Sequence, residues 1–440
     1  MAWKAAEHTA WGRALRSPSR IARPERQSVL HDIMASTPAP AIGAARSYGD
    51  AALNDGGHLI DMTRLDRLLE FNAETGRVRA EAGVRLSDLL QIFGPQGWMP
   101  AVLPGTAFVT VGGAIASDVH GKNHHERGSF GQYVASIELL DANGQVLTLS
   151  EVENPTLFRA TIGGMGQTGV ILSAELRLMR CPGGKVRLTR TRIPDLEAFL
   201  DAFETSTAPY SVGWIDATAR GAKFGRGVFE EGTLVEGTFR APKAPRRLPF
   251  YMGGLLVSRP VVKTFNAAYL RRASLKGRSR IRPVQDMLFP LDGIAQWNRL
   301  YGRRGFHQFQ CVLPQTTAEI TLPRVLEAVV NSGQASPLSV LKKLGSGRAG
   351  YMSFPMAGVT LAVDIRAGRG ALPLLHRLNT LVAEAGGRVY LAKDSALTPD
   401  LLAAMYPDLD RFRDVLAKAD PKGVFRTDLA RRLNLCGDLP

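Results

Sequence analysis

Three glycine-rich turns within the first 170 residues, set among short strands, constrain this chain more than any other feature. They read "GAARSYGDAALNDGG" (43–57), "LPGTAFVTVGGAIASDVHGKN" (103–123) and "IGGMGQTGV" (162–170). Glycine accepts left-handed dihedrals and lets backbone approach a ligand closely, so such turns can aim N–H groups at an anion. Taken singly, each is first of all a tight turn. None is a Walker loop, and Gly164, Gly166 and Gly169 match G-x-G-x-x-G without opening a long helix after a strand. Between the turns lie short strands, "HLIDMT", "GRVRAEAG", "VASIELLDANGQVLTLS" with a turn at Asn143-Gly144, and "GVILSAELRLM". Two short helices interrupt them, "RLSDLLQIFGPQG", where Ser87 is the expected cap, and one from Gly112 toward Asp118. The pattern is α+β and lacks the regular alternation of a doubly wound sheet.

A chain of 440 residues exceeds what one core supports, which predicts two domains. Residues 185–387 carry longer alternating strands ("FHQFQCVLP", "MSFPMAGVTLAVDI") and amphipathic helices ("TLPRVLEAVVNSG", "ALPLLHRLNTLVAEAGG"), the pattern of a sheet covered by helices. The expected division is 1–183, 184–387, and a segment 388–440 that returns to the first domain. The N-terminus has no signal-peptide pattern and no 18-residue run is free of charges or breakers, so neither export nor a membrane span is expected. Cys181, Cys311 and Cys436 are too few and too far apart for a disulfide framework or zinc knuckle, and a reducing cytoplasm fits them.

The formal charge of +15 suits nucleic acid, anionic lipid or a phosphorylated substrate as partner. Twelve Lys or Arg and no Asp or Glu fall between Arg240 and Val284, interleaved with "LPFYMGGLLV" and "VVKTFNAAYL". Two readings stand side by side: a solvated basic loop, or a surface that rests on an anionic bilayer. No zinc finger, recognition helix or RNA-binding signature accompanies the charge, so nucleic acid is not the expected partner. His120, His124 and His125 lie between Gly113 and Gly128 with no Cys or carboxylate pattern to complete a ligand set, so no metal is expected.

The order "AARSYGD", "LPG…TVGGAIASDVHGKNHH…GSFG", "GGMGQTGVI" resembles the FAD-binding domain of the vanillyl-alcohol oxidase superfamily of FAD-linked oxidases. Within it the likeness is closest to the decaprenylphosphoryl-β-D-ribose 2′-oxidases. It continues in order through "YSVGWIDA" (210–217), "FPLDGIAQWNRLYGRRGFHQFQCVLP" (289–314), "VLKKLG" (340–345), "MSFPMAGVTLAVDI" (352–365), "GGRVYLAKDS" (386–395) and "MYPDLDRFRDVLAKADPKGVFRTDLARRL" (405–433). The resemblance implies a two-domain α+β FAD-linked oxidase fold. The FAD domain would comprise two α+β subdomains, and the substrate domain an antiparallel sheet covered by helices. Backbone around Ala44, Arg46, Ser47, Tyr48 and Gly49 would receive the pyrophosphate of FAD. Pro104, Gly105, Thr110, Gly112, Gly113, Ser117, His120, Gly121 and Asn123 would flank the rest of the cofactor, with Ile171 near the adenine and Tyr390 also in contact. Where some relatives carry a histidine that bonds to the flavin, this chain has Arg46 and Ser47, so the resemblance implies non-covalent FAD.

The same resemblance implies oxidation of the 2′-hydroxyl of a polyprenyl-phosphoryl-β-D-ribose, the first half of epimerisation to an arabinose donor. Such a step needs a hydride acceptor and a group for the hydroxyl proton. Lys393 matches the family's essential lysine, and Lys122 is expected beside it as the cation that lowers its pKa. His120 competes for the proton, because its intrinsic pKa suits the task better. Tyr48, Trp214, Gln308, Gln310, Lys342 and Lys393 match the substrate pocket. Ala362 stands where mycobacterial members carry a cysteine, and Phe289 where they carry a histidine. Val119, branched where some relatives have a small residue that admits oxygen, implies a quinone or other carrier as electron acceptor. A short-chain reductase partner and a peripheral place on the cytoplasmic side of the inner membrane complete the picture. A soluble alditol, aldonolactone or other sugar is the alternative substrate, and a basic nucleic-acid- or membrane-binding protein the non-enzymatic alternative.

Overall fold

The structure, a computed structural model, describes residues 3–241, 244–252 and 257–437. Residues 242–243 and 253–256 of the basic stretch lie outside the described residues.

The N-terminal part holds two sheets. In the first, Lys4–Thr9, Arg16–Ala22, His58–Asp61 and Ala41–Ile42 follow one another in space, the first pair antiparallel and the others parallel. The helix Gln27–Ser36 covers it with Leu30, Ile33 and Met34, a spacing that places all three on one helical face. The second sheet is antiparallel, in the order Leu68–Asn72, Arg77–Glu81, Val170–Arg180, Val134–Leu140, Val146–Ser150, and Trp98–Pro100 joins the far end of Val170–Arg180. The helix Leu86–Phe93 buries Leu86, Leu89, Leu90 and Phe93 against this sheet. Its cap position is Arg85, not Ser87. The first N–H groups, of Leu86 and Ser87, bond to the carbonyls of Val109 and Ala107, so the neighbouring segment does the work of a side-chain cap.

The third sheet has eight strands, antiparallel throughout, in the order Arg278–Pro283, Lys185–Ile193, Gly227–Val235, Tyr210–Ile215, Ala335–Leu344, Gly358–Arg366, Phe306–Pro314, Arg388–Val389. Successive side chains of a strand point to opposite faces. Phe309, Cys311, Leu313, Leu341, Leu361, Val363 and Ile365 therefore share one face, where the helices Leu196–Thr205, Gln315–Ser332 and Ala371–Glu384 bury them. Gln308, Gln310, Lys342, Thr360, Ala362 and Asp364 share the other.

The basic stretch is no solvated loop. Arg259–Arg271 is a helix and Arg278–Pro283 the edge strand of the eight-stranded sheet. Val261 and Phe265 stand exposed on the helix among its basic residues, with Phe250, Leu275 and Ile281 exposed nearby in sequence. No helix among the described residues is long and apolar enough to cross a membrane.

The last helices, Pro399–Met405, Leu409–Ala419 and Asp428–Arg432, lie against the first and third sheets' territory, with Phe425 in the core beneath the first sheet. One guanidinium fixes this return. Arg432 Nε and Nη2 donate to both Asp50 oxygens at 2.7 and 2.8 Å, and Nη2 also reaches Asp394 Oδ2 at 2.8 Å. The Asp394 side chain is 2% exposed and that of Asp50 10%, so neither carboxylate has water to replace the arginine. Gly49 packs against the same turn so tightly that a Cβ would lie 1.5 Å from the Asp394 carbonyl oxygen. Breaking a buried ion pair from one side costs about 3–5 kcal/mol. Arg432→Ala is expected to lose stability of that order in chemical denaturation followed by circular dichroism, and an unchanged midpoint would show that the lock is not structural.

Candidate active site

The three glycine-rich turns converge on one cleft between the first two sheets. Gly43, Ser47, Thr110, Gly112, Gly113, Ser117, Gly166, Gly169 and Ile171 are among the residues that line it. Thr110 accepts a hydrogen bond from the Gly113 N–H at 3.2 Å and so starts the short helix Val111–Ala116 along one wall. In the first turn Ala45 adopts φ +48°, and the N–H groups of Ala44, Ala45, Arg46 and Ser47 have no acceptor among the described residues. Unpaired donors grouped around a left-handed residue form an anion-binding concavity. With glycines leaving the walls bare, the cleft suits the pyrophosphate and rings of FAD.

Some residues expected at the cofactor do other things. The Tyr48 N–H donates to the Ala392 carbonyl at 2.9 Å and is no free pyrophosphate donor. Gly49 meets the Asp394 turn instead of the cleft. Gly121 and Asn123 brace the 101–103 segment, where Asn123 Nδ2 donates to the Ala101 carbonyl at 2.9 Å; Gly105 is exposed with open space around it, and Pro104 lies beside it. The Arg46 guanidinium leaves the cleft to lie over Trp11, 4.0 Å from its ring centroid. Tyr390 underlies the wall by donating its hydroxyl to the Ser117 carbonyl at 2.9 Å.

The polar face of the large sheet stands beyond Ser117 and His120. A chain of hydrogen bonds there has only one consistent direction. Thr360 Oγ1 donates to the Cys311 carbonyl at 2.7 Å, so it can only accept from Gln310 Nε2 at 3.1 Å. The second proton of that amide faces His120 Nε2 at 2.9 Å, which must then be the acceptor. The His120 proton consequently sits on Nδ1, which is buried and has no partner among the described residues. Burial, and the nearby charges of Lys342, His124 and Lys393, hold His120 well below its ordinary pKa, so the ring is a neutral donor at Nδ1. His124 Nδ1 accepts from the Gly345 N–H at 3.0 Å and His125 Nε2 lies 3.0 Å from the Ala208 carbonyl. Among the described residues no group of three or more His, Cys, Asp or Glu could hold a metal.

Lys393 lies 5.3 Å from the Tyr48 ring centroid. Burial lowers its pKa to about 8, and the Asp364 carboxylate acts against that fall. Burial raises Asp364 to about 7 despite a hydrogen bond from Gln308 Nε2 and one from the Tyr301 hydroxyl at 2.8 Å. Gln308 Oε1 remains buried without a partner among the described residues. Lys122 does not serve Lys393 as expected: its Nζ donates to the Met287 carbonyl, and the charges that act on it are those of Glu230 and Arg190. The lysine whose charge does couple to Lys393 is Lys342, lowered to about 7 by burial and then by Lys393. Trp214 shares the polar face but donates its indole N–H to the Pro337 carbonyl at 2.7 Å and packs on Tyr269. Asp364, Tyr301 and Thr360 were not foreseen. The one available signal was an acid in the largely apolar strand "GVTLAVDIR", two residues after Ala362.

Residues 19–150 match the FAD binding domain, and residues 371–433 match D-arabinono-1,4-lactone oxidase. Decaprenylphosphoryl-beta-D-ribose oxidase of Mycolicibacterium smegmatis is 37% identical over 412 residues, covering 90% of this chain and 89% of its own. An uncharacterised protein of Streptomyces coelicolor is 36% identical over 80% of this chain and all of its own length. L-gulono-1,4-lactone dehydrogenase of Mycobacterium tuberculosis is 24% identical over 96% of this chain and 97% of its own. Fold, cleft and relatives together define an FAD-dependent oxidoreductase acting on a CH–OH group. Within that class the chain belongs to the decaprenylphosphoryl-beta-D-ribose oxidase family.

The hydrogen-bond chain from Cys311 to His120 is open to a direct test. Thr360→Val removes the acceptor that orients Gln310, and the His120 ring should then populate both tautomers. Nitrogen-15 spectra of histidine-labelled protein should show one Nδ1–H form in the wild type and averaged ring shifts in the variant. Identical shifts in both would sink the assignment.

Proposed function

We propose that this chain oxidises the 2′-hydroxyl of a polyprenyl-phosphoryl-β-D-ribose to the 2′-keto sugar. The observation that carries the reading is the buried polar face of the sheet, where Lys393, the orphan Nδ1–H of His120 and the orphan Oε1 of Gln308 collect beside the cofactor cleft. Buried polar atoms without protein partners are the ones a ligand must satisfy. FAD held in the cleft lined by Gly43, Ser47, Thr110, Gly112 and Gly113 would supply the acceptor for the hydride of the carbinol carbon. Lys393 in its neutral form accepts the hydroxyl proton, and Asp364 then stabilises the ammonium that results. His120, protonated on Nδ1, donates to a sugar oxygen, which leaves Lys393 as the base. Gln308 Oε1 accepts from a second hydroxyl.

The first loop of the cleft, Gly43 to Gly49, contains no histidine or cysteine, so FAD is held without a covalent bond. Val119 is buried and branched beside this wall, which supports a quinone or other carrier over oxygen as acceptor. The keto product requires a hydride donor to complete an epimerisation, the task of a short-chain reductase partner. The exposed Val261, Phe265, Leu275 and Ile281 among arginines support a peripheral position on the cytoplasmic side of an inner membrane, next to a lipid-linked substrate. The match of residues 371–433 to a lactone oxidase supports a soluble aldonolactone, alditol or related sugar as the second reading.

Under anaerobic conditions, farnesyl- or decaprenyl-phosphoryl ribose should bleach the visible flavin band rapidly, and shortening the lipid should weaken the effect. Bleaching by alditols or lactones alone would favour the second reading.

The pH dependence of that bleaching tests Lys393. Its pKa is depressed and its neutral form reacts, so the rate should rise with pH through about 8. Asp364→Asn removes a negative charge that favours the ammonium, so the Lys393 pKa falls and the inflection moves to lower pH. Lys393→Met should keep FAD yet slow bleaching by roughly 10²–10⁴-fold, the range of a lost general base. A wild-type rate in that variant would exclude the role.

A further inference from the structure

A second cavity, of about 280 Å³, lies away from the cofactor cleft where the end of the strand Gly358–Arg366 meets the start of the helix Ala371–Glu384. Arg259, Arg304, Arg366 and Arg369 line it, and none of its lining residues is acidic. Among the described residues, none of these four guanidiniums is paired with a carboxylate, whereas Arg226 and Arg432 are each bonded to buried aspartates. The four arginines are exposed, and like charges around one concavity repel each other, an interaction that an anion among them offsets. Gly368 and Gly370 form part of the lining, and Gly370 is the cap position of the 14-residue helix, whose N-terminal dipole end adds to the positive field.

We propose that this cavity binds a phosphate group. Planar guanidiniums bind phosphate oxygens two at a time, and several converging on one concavity suit a tetrahedral polyanion better than a planar carboxylate. Arg366 follows Asp364 by two residues on the same sheet face, about 7 Å along the strand, and the apolar cluster of Val257, Trp297, Tyr301 and Phe306 lies at that end of the sheet. The cavity shares no lining residue with the cofactor cleft and lies next to the oxidation centre. Arg259 is also the first residue of the helix that exposes Val261 and Phe265. A phosphate bound there sits at the start of the helix that carries those exposed apolar side chains, which suits a phospholipid headgroup, and free phosphate offers the same oxygens. The inference does not depend on which sugar is oxidised.

Titration calorimetry of the FAD-loaded protein with inorganic phosphate tests it. Wild type should bind one equivalent saturably, and Arg366→Gln/Arg369→Gln should bind at least about tenfold more weakly, as expected for loss of two charge-assisted contacts. The single variants Arg304→Gln and Arg369→Gln guard against a folding failure, and each should weaken binding while the flavin spectrum stays that of wild type. Co-sedimentation with phosphatidylglycerol vesicles then separates the sources. If the double variant sediments less and phosphate releases the wild type, the group is a lipid headgroup. If sedimentation is unaffected while phosphate binding falls, it is a soluble phosphate. Absence of saturable phosphate binding, or equal binding in wild type and double variant, overturns the proposal.

Discussion

The two-residue period of the eight-stranded sheet governs the rest of the molecule. Because alternate side chains face opposite ways, a strand such as Phe306–Pro314 can carry Phe309, Cys311 and Leu313 for the helices and Gln308 and Gln310 for the cofactor side. The register then brings Gln308 opposite Asp364 and Thr360 opposite Lys342. A shift of one residue in either pairing would bury polar groups among the helices and turn Leu361 and Cys311 toward the cleft. Cys311 illustrates the separation: burial pushes its thiol up to about 12, on the face away from the chemistry. Ala362, on the polar face between Gln310 and Val340, leaves no thiol at that position.

That face concentrates charge where water is scarce. Lys342 and Lys393, with His120, are all disfavoured in their protonated forms by burial; the charge of Lys393 further depresses Lys342, and both lysines depress His120. Asp364 offsets only part of this, since its own carboxylate is disfavoured by burial. The result is a group of bases near neutrality instead of a row of fixed ammoniums. It explains why a lysine can accept a proton here, and why the histidine, despite its better intrinsic pKa, is the hydrogen-bond donor. The deciding factor is the direction of a backbone-anchored relay and not the identity of the ring.

The sequence disclosed what local chemistry dictates and missed what distant contacts decide. The turns at 43–57, 103–123 and 162–170 were legible because glycine and left-handed backbone leave a local mark, and the alternation in "FHQFQCVLP" separated Gln308 and Gln310 from the core. Ser87 was misread because the carbonyls of Ala107 and Val109, 20 and more residues on, satisfy the helix start. Lys122 was misplaced because its direction depends on Met287 and Glu230, which no spacing reveals. Asp364 looked like one more residue of an apolar strand. Nothing local connects Asp50 with Arg432.

That last pair makes chemistry and folding inseparable at one turn. Asp394, which Arg432 ties to Asp50, is the residue after Lys393, and its Oδ1 also accepts from the N–H groups of Ala396 and Leu397. The Ala392 carbonyl, one residue before Lys393, receives the Tyr48 N–H from the first glycine-rich turn. Lys393 is thus clamped on both sides to the chain that forms the cofactor cleft. The backbone on either side of Lys393 cannot move without breaking the bond to Arg432 or to Tyr48. A lysine free to reach water would recover its ordinary pKa and stay protonated. Holding the C-terminal segment against the N-terminal turn therefore fixes the backbone that carries this base, and the buried ion pair serves position as well as stability.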